Sequence, residues 1–334
     1  MIGLFALLLA ATMPADTAIP RYQHIFVIVE ENKDYARIVG SSNAPVITRL
    51  AKTYGSASQF FAETHPSEPN YVAMIGGSTY GIRDDDAFYC TPNDSRPYCT
   101  HSDRPGYVNH TIDGPSLATQ LEAAGLSWKN YEESLPAPGS LAVVSGYYAS
   151  KHSGFVNFAS VAHDPQRADH LVGFDVLEAD LHAGRLPAFS LIVPNVCDEM
   201  HGAGQSGTPA NCRYDNPSAL IARGDREVDM LTREIMASSA WSQGNAAIVI
   251  TFDEDDGGGT QGCCGNDPTD PSNAGGGHIP TVVITNHGPR SVVDPTPYSH
   301  YSLLRTIEDA FGLHEHLMHA GAPGVVPMVD LFKI

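Results

Sequence analysis

A chain of 334 residues, 42% of them hydrophobic, holds enough apolar mass for a full core as one large α/β domain or two modest ones. Its formal net charge of −19 argues against a nucleic-acid partner, because phosphate backbones are held by Lys and Arg. A small phosphate ester stays within reach, since one cation held by carboxylates reverses the sign locally.

Residues 1–18, MIGLFALLLAATMPADTA, have the shape of a secretory signal: an apolar stretch and then small residues, although no Lys or Arg precedes it. Past it no apolar run is long enough for a membrane span. No repeat or low-complexity linker divides the rest, so residues 19–334 read as one domain with long loop insertions, secreted or periplasmic. HIFVIV (24–29) is the first strand, apolar without alternation, as expected of a parallel strand buried on both faces. It runs into EENKDY, which presents Glu30, Glu31, Asn32 and Asp34. A helix is predicted over 44–54. The stretch ETHPSEPNYVAMIGG then sets His65 and Ser67 around a proline, and Ser67 reads as the N-cap or first turn of a helix that Gly76 or Gly77 ends. A loop over 84–114 leads to a helix over 115–125, bounded by Pro115 and Gly125.

After a loop at 134–160, the strand FSLIV (189–193) feeds PNVCDEMH, with Asn195, Asp198, Glu199 and His201. A loop over 198–218 and a helix over 225–238 precede the strand AAIVITF (246–252), which opens into DEDDGGG with Asp253, Glu254, Asp255 and Asp256. The loop 255–277, the strand TVVIT (281–285) and a helix over 301–312 complete the pattern. Strands alternating with helices predict an α/β fold, a three-layer sandwich with helices on both faces of a mostly parallel central sheet. Ligands of such folds bind at the carboxyl ends of strands, where all three polar clusters lie.

Cys90 with Cys99, and Cys197 with Cys212, flank turn-rich segments, and Cys263 adjoins Cys264. That pattern reads as loop staples made in an oxidising compartment, with the connectivity left open. A zinc site from Cys197, His201 and Cys212 is disfavoured, because the spacing matches no usual ligand pair.

Taken singly, each acidic cluster reads equally well as solvated loop residues or helix caps. Together, carboxylates at converging strand ends repel and require protons or a cation. Hard oxygen donors of this kind suit Mg²⁺, Ca²⁺, Mn²⁺ or iron. DEDDGGG lacks the alternation of a calcium-binding EF-hand loop. Capping and nucleophilic roles for Ser67 are compatible, since a helix N-terminus stabilises an alkoxide and an incoming phosphate. The Gly-x-Ser-x-Gly elbow of serine hydrolases occurs neither at Ser67 nor at Ser78. Of fifteen histidines, the local settings single out His65, His201, His278 and His300.

The motifs VIVEENKDY, HPSEPNY, IVPNVCDEMHG, ITFDEDDGGG and YSHYSLLRTIED, in this order from about residue 22 to 313, resemble the bacterial phosphoesterase family. That family unites secreted acid phosphatases with phospholipases C on an alkaline phosphatase-like fold. The resemblance implies one divalent or hard metal ion held by Glu31, Asn32, Ser67, Asp253 and Glu254, with Asn32 setting the register in favour of Glu31 over Glu30. It implies Ser67 as nucleophile and His201 and His65 as catalytic groups at the phosphoryl. Looser matches add His300 to the catalytic set and His278 to the phosphate. The implied activity is that of a metal-dependent acid phosphatase hydrolysing phosphomonoesters through a phosphoserine, phosphoinositide phosphates included. Its partner would be a small phosphate ester or a phospholipid headgroup. A phospholipase C-type phosphodiesterase is the alternative, disfavoured by the compact chain. A non-catalytic exported metal-binding protein is the other, disfavoured by the joint presence of the five ligands. Oligomeric state stays open.

Overall fold

A computed structural model describes residues 18–85, 110–288 and 290–334. Most of the signal-like segment, together with Cys90 and Cys99, lies outside the described residues.

One eight-stranded sheet organises the molecule. In chain order its strands are β1 (His24–Glu30), β2 (Gly55–Ala57), β3 (Trp128–Glu132), β4 (Leu171–Val172), β5 (Phe189–Val193), β6 (Ala246–Phe252), β7 (Thr281–Thr285) and β8 (Val292–Asp294). Their order across the sheet is β8-β2-β7-β6-β1-β5-β3-β4. The apolar runs read as strands fall on β1, β5, β6 and β7. Phe26, Ile28, Ile248 and Ile250 at the centre are at most 1% exposed. Each such side chain contributes about 1.5–3 kcal/mol through burial.

β7 departs from the expectation of parallel strands, being antiparallel to both β6 and β2. A parallel neighbour needs a crossover back to the strand's starting end, usually a helix. The connection over 253–280 contains no helix, so the chain re-enters the sheet from the end at which β6 left it.

The principal helices are α1 (Pro45–Thr53), α2 (Ser67–Gly76), α3 (Leu117–Ala123), α4 (Phe174–Ala183), α5 (Pro217–Ala237) and α6 (His300–Phe311). α5 starts at Pro217, earlier than the predicted 225, with proline in the first turn, where its missing N–H costs nothing. α1 packs on α5, and α2 on α6. The end of β1 shows that these pairs lie on opposite faces: Glu30 senses Asp225 and Glu227 of α5, whereas the next residue, Glu31, meets Ser67 of α2. α2 stops at Gly77, whose φ of +72° is left-handed. A Cβ there would lie 2.3 Å from the Leu317 carbonyl oxygen, so glycine is required.

Among the described residues, two disulfides are formed, Cys197–Cys212 and Cys263–Cys264. No helix among the described residues is long and apolar enough to cross a membrane.

Candidate active site

The register of the two central strands creates the site. Glu30 of β1 lies beside Phe252 of β6, so Glu31–Asn32 and Asp253–Glu254 leave the sheet side by side. β5, on the other flank of β1, delivers the loop that carries Glu199 and His201. Lys33 fastens these segments together: its buried ammonium donates to the carbonyls of Asn32 (2.8 Å) and Met200 (2.9 Å). The Glu31 N–H adds a bond of 2.7 Å to the Glu199 carbonyl. Asn32 adopts φ +52°, a left-handed conformation that asparagine tolerates better than most residues. Its N–H donates to Asp253 Oδ1 at 3.0 Å, and its side-chain amide donates to Glu31.

Ser67 enters from the opposite layer. It is the first residue of α2, with Pro66 at the N-cap position, so the expected capping role is not the one it plays. Asp85 takes a first-turn donor instead, accepting the Glu68 N–H at 3.0 Å. The Ser67 hydroxyl is thereby left for the carboxylates: Oγ lies 3.3 Å from Glu31 Oε2 and 3.2 Å from Glu254 Oε1. It is 1% exposed.

Four carboxylates thus gather here: Glu31, Glu199, Asp253 and Glu254, all buried. Burial pushes the Asp253 carboxyl well up, and the charges of Glu31 and Glu254 push it further. Burial likewise raises Glu254, against the hydrogen bond from His65. Burial would raise Glu31 too, but the positive charge of His152 against it outweighs burial and holds this carboxyl well below the usual range. Asp253 Oδ2 is buried without a hydrogen-bond partner. Crowded oxygen donors, one of them buried and unpartnered, around a serine hydroxyl and an amide are the chemistry of a hard-cation site. Glu31, Asn32, Ser67, Asp253 and Glu254 therefore fit the metal that the family resemblance implies.

His152 is the residue that sequence reasoning missed. It is fully ringed: Nδ1–H donates to Glu199 Oε2 at 3.1 Å, and Nε2 sits 2.9 Å from Glu31 Oε1 in a charge contact poorly aligned for a hydrogen bond. Its ring stacks on Tyr71 of α2 with centroids 5.2 Å apart. Burial lowers its pKa, but Glu199 and Glu31 outweigh that and raise it to about 10. His152 is therefore a built-in cation among the carboxylates. Lys151 beside it pairs with Asp85 at 2.7 Å. Two adjacent cations, Lys and His, inside a loop were the available signal.

The predicted histidines divide. His201 joins the site: Glu31, His152 and His201 each offer a ligand atom within 4.8 Å of the others. Its Nδ1–H donates to the Gly202 carbonyl at 2.7 Å, so Nε2 is the nitrogen left for chemistry, and burial lowers its pKa. His65 is adjacent but committed. Nδ1 binds Glu254 and Nε2–H donates to the Gly259 carbonyl at 2.9 Å, in a loop shaped by Asp255 accepting the N–H groups of Gly257, Gly258 and Gly259. Burial opposes its protonation, yet Glu254 outweighs burial and its pKa rises to about 9. His65 thus orients Glu254, which corrects the expectation that it meets the phosphoryl.

His300 corrects the expectation further. It is wholly buried, with Nδ1 on Glu63 and Nε2–H donating to the Phe252 carbonyl at 2.8 Å, so both nitrogens are spent, one tying α6 to the sheet and the other to the segment before α2. His278 Nε2–H donates to the Ser58 carbonyl (3.0 Å), and the ring stacks on Tyr35 at 4.7 Å. That environment is structural and offers no contact with Ser67.

Residues 41–314 match the Phosphoesterase family model. The chain is 31% identical to a phosphatidylinositol-3-phosphatase of Mycobacterium tuberculosis, over 95% of its own length and 85% of the relative. It is 24% identical to a probable acid phosphatase of Kluyveromyces lactis and 25% identical to an acid phosphatase of Aspergillus fumigatus. These alignments take in 96% and 87% of this chain but only 65% and 55% of those longer proteins. Among solved structures, a protein in the alkaline phosphatase superfamily from Vibrio parahaemolyticus superposes with a TM-score of 0.56 at 11% identity, covering 95% of this chain and 71% of that one. At that identity the likeness speaks for the fold, an α/β sandwich of alkaline phosphatase type. By its sequence, this chain belongs to the Phosphoesterase family.

Proposed function

We propose that the protein is an exported, metal-dependent phosphomonoesterase that works through Ser67. The observation that carries this reading is the serine hydroxyl at the first turn of α2, held between the carboxylates of Glu31 and Glu254 with Asp253 and Asn32 beside it. The names of its relatives, acid phosphatases and a phosphatidylinositol-3-phosphatase, support phosphomonoesters as the substrate class, phosphoinositide phosphates among them. The signal-like leader and two disulfides support export.

Glu31, Asn32, Ser67, Asp253 and Glu254 would hold a hard cation, which would supply positive charge to lower the pKa of the serine hydroxyl and offset the charge of the phosphate. Ser67 Oγ forms the new bond to phosphorus as the bond to the leaving alcohol breaks, and its proton departs toward the carboxylate oxygens that face it. The α2 N-terminus, Lys151 and His152 place positive potential around the transferred group. His65 holds Glu254 in position. His201, with Nδ1–H fixed on the Gly202 carbonyl, enters as the imidazolium, a form that acidic pH favours, gives its Nε2 proton to the departing alkoxide and regains one from the water that hydrolyses the phosphoserine. The carboxylate that took the Ser67 proton returns it to Oγ as the serine–phosphorus bond breaks. The proton count balances over the two steps.

The test is hydrolysis of p-nitrophenyl phosphate by the wild type and by Ser67→Ala, after chelation and with single metals restored. The expected result is metal-restored turnover in the wild type and a loss of at least about 10³-fold in the variant. A Ser67→Ala protein that keeps metal-dependent turnover sinks the assignment.

A further inference from the structure

A groove of about 370 Å³ opens beside the site and shares Lys151 and His201 with it. Those two are the only Lys, Arg, His, Asp or Glu residues that line it. Its remaining walls are built largely from Val144, Tyr147, Val196 and Tyr214. Val144 and Tyr214 are 63% and 64% exposed, so this wall presents apolar surface to solvent.

The walls are braced rather than loose. Tyr147 and Val196 pack against the Cys197–Cys212 disulfide, and the Val196 N–H donates to the Tyr147 carbonyl at 3.0 Å. The Tyr214 ring leans on Gly204, where a Cβ would come within 2.3 Å of it. The same disulfide joins the loop bearing His201 to the segment bearing Tyr214. An exposed aromatic is thereby held in fixed relation to the nitrogen that faces the leaving group.

We propose that this groove is the subsite for the alcohol half of the substrate and that it selects a ring-bearing leaving group over an acyclic one. The inference rests on the phosphomonoesterase reading. With phosphorus at Ser67 and the leaving oxygen at His201, the rest of the alcohol extends into the space that begins at His201. That space offers mainly aromatic and aliphatic surface, with the Gln205 amide and the tyrosine hydroxyls as its further polar groups. A ring stacked on Tyr214 gains both apolar burial and aromatic contact.

The experiment compares kcat/KM for 1-naphthyl phosphate with that for glycerol 2-phosphate in the wild type, Tyr214→Ala, Tyr214→Phe and Val144→Ser. Dividing each variant's ratio by the wild-type ratio cancels the intrinsic reactivity of the two esters. The expected result is a fall of roughly three- to ten-fold in that ratio for Tyr214→Ala, a smaller fall for Val144→Ser, and recovery in Tyr214→Phe, which keeps the ring. Inhibition by phenylphosphonate relative to methylphosphonate should weaken in the same order, without any turnover. Equal losses on both esters, no loss on either, or a larger loss on glycerol 2-phosphate overturn the groove assignment alone. A wild type that turns over neither ester overturns the phosphatase reading and this one with it.

Discussion

His152→Phe separates charge from packing at the heart of the site. The phenyl ring keeps the volume and the stack on Tyr71, but it deletes the cation between Glu31 and Glu199. Both carboxylates are fully buried, so neither can recover solvation when its partner disappears. Removing one member of a buried ion pair costs about 3–5 kcal/mol. At roughly 2 °C per kcal/mol for a domain of this size, the melting temperature in chelator should fall by about 6–10 °C. A hard cation supplies replacement charge, so the gain in melting temperature on adding Mn²⁺ should be larger in the variant than in the wild type. Differential scanning calorimetry in EDTA and in excess Mn²⁺ measures both quantities. A loss of equal size in the two conditions would show that packing, not charge, sets the cost, and would refute the reasoning.

Two further tests concern stability away from the reacting atoms. Replacing Cys197 and Cys212 together by serine opens a loop of sequence separation 15 and should cost about 3 kcal/mol, read as a lower urea midpoint; an unchanged midpoint contradicts the bracing role. Glu308 tests a pH window. Burial raises its carboxyl from the ordinary 4.5 to about 8, and its Oε1 accepts the Leu317 N–H at 2.8 Å. The folded state therefore holds a proton that the unfolded state releases above 4.5, so this contribution is complete below that pH and is lost as pH rises through about 8. Glu308→Gln keeps the acceptor and removes the titration. Its stability relative to the wild type should rise by about 2–4 kcal/mol between pH 4.5 and 8, and a flat difference in urea unfolding across that range counts against the argument.

Much of the fold is legible in the chain because a strand buried on both faces has no polar alternation to hide it. HIFVIV, FSLIV, AAIVITF and TVVIT stand out for that reason. The strands Gly55–Ala57 and Leu171–Val172 do not, since two or three residues contain no period. Trp128–Glu132 is masked by the buried Asn130 and Glu132, whose hydrogen bond is invisible until the partners meet. An apolar run also carries no direction, so the reversal of Thr281–Thr285 follows only from a connection that stays at one end of the sheet.

The same division holds at the site. Glu31, Asn32, Asp253 and Glu254 are readable because they directly follow the two central strands, and Ser67 because its proline-flanked turn opens a helix. What the chain alone settles is this local chemistry: which donors exist, and which strand or helix end presents each one. Tertiary structure decides their partners. His65 and His300 look in sequence like groups aimed at a phosphate, yet their nitrogens are taken by Glu254 and Gly259, and by Glu63 and Phe252. His152, in a loop far from Glu31 along the chain, supplies the internal cation instead. The reason is physical: a histidine's role depends on what meets its two nitrogens, and those contacts arise between segments that local sequence does not connect.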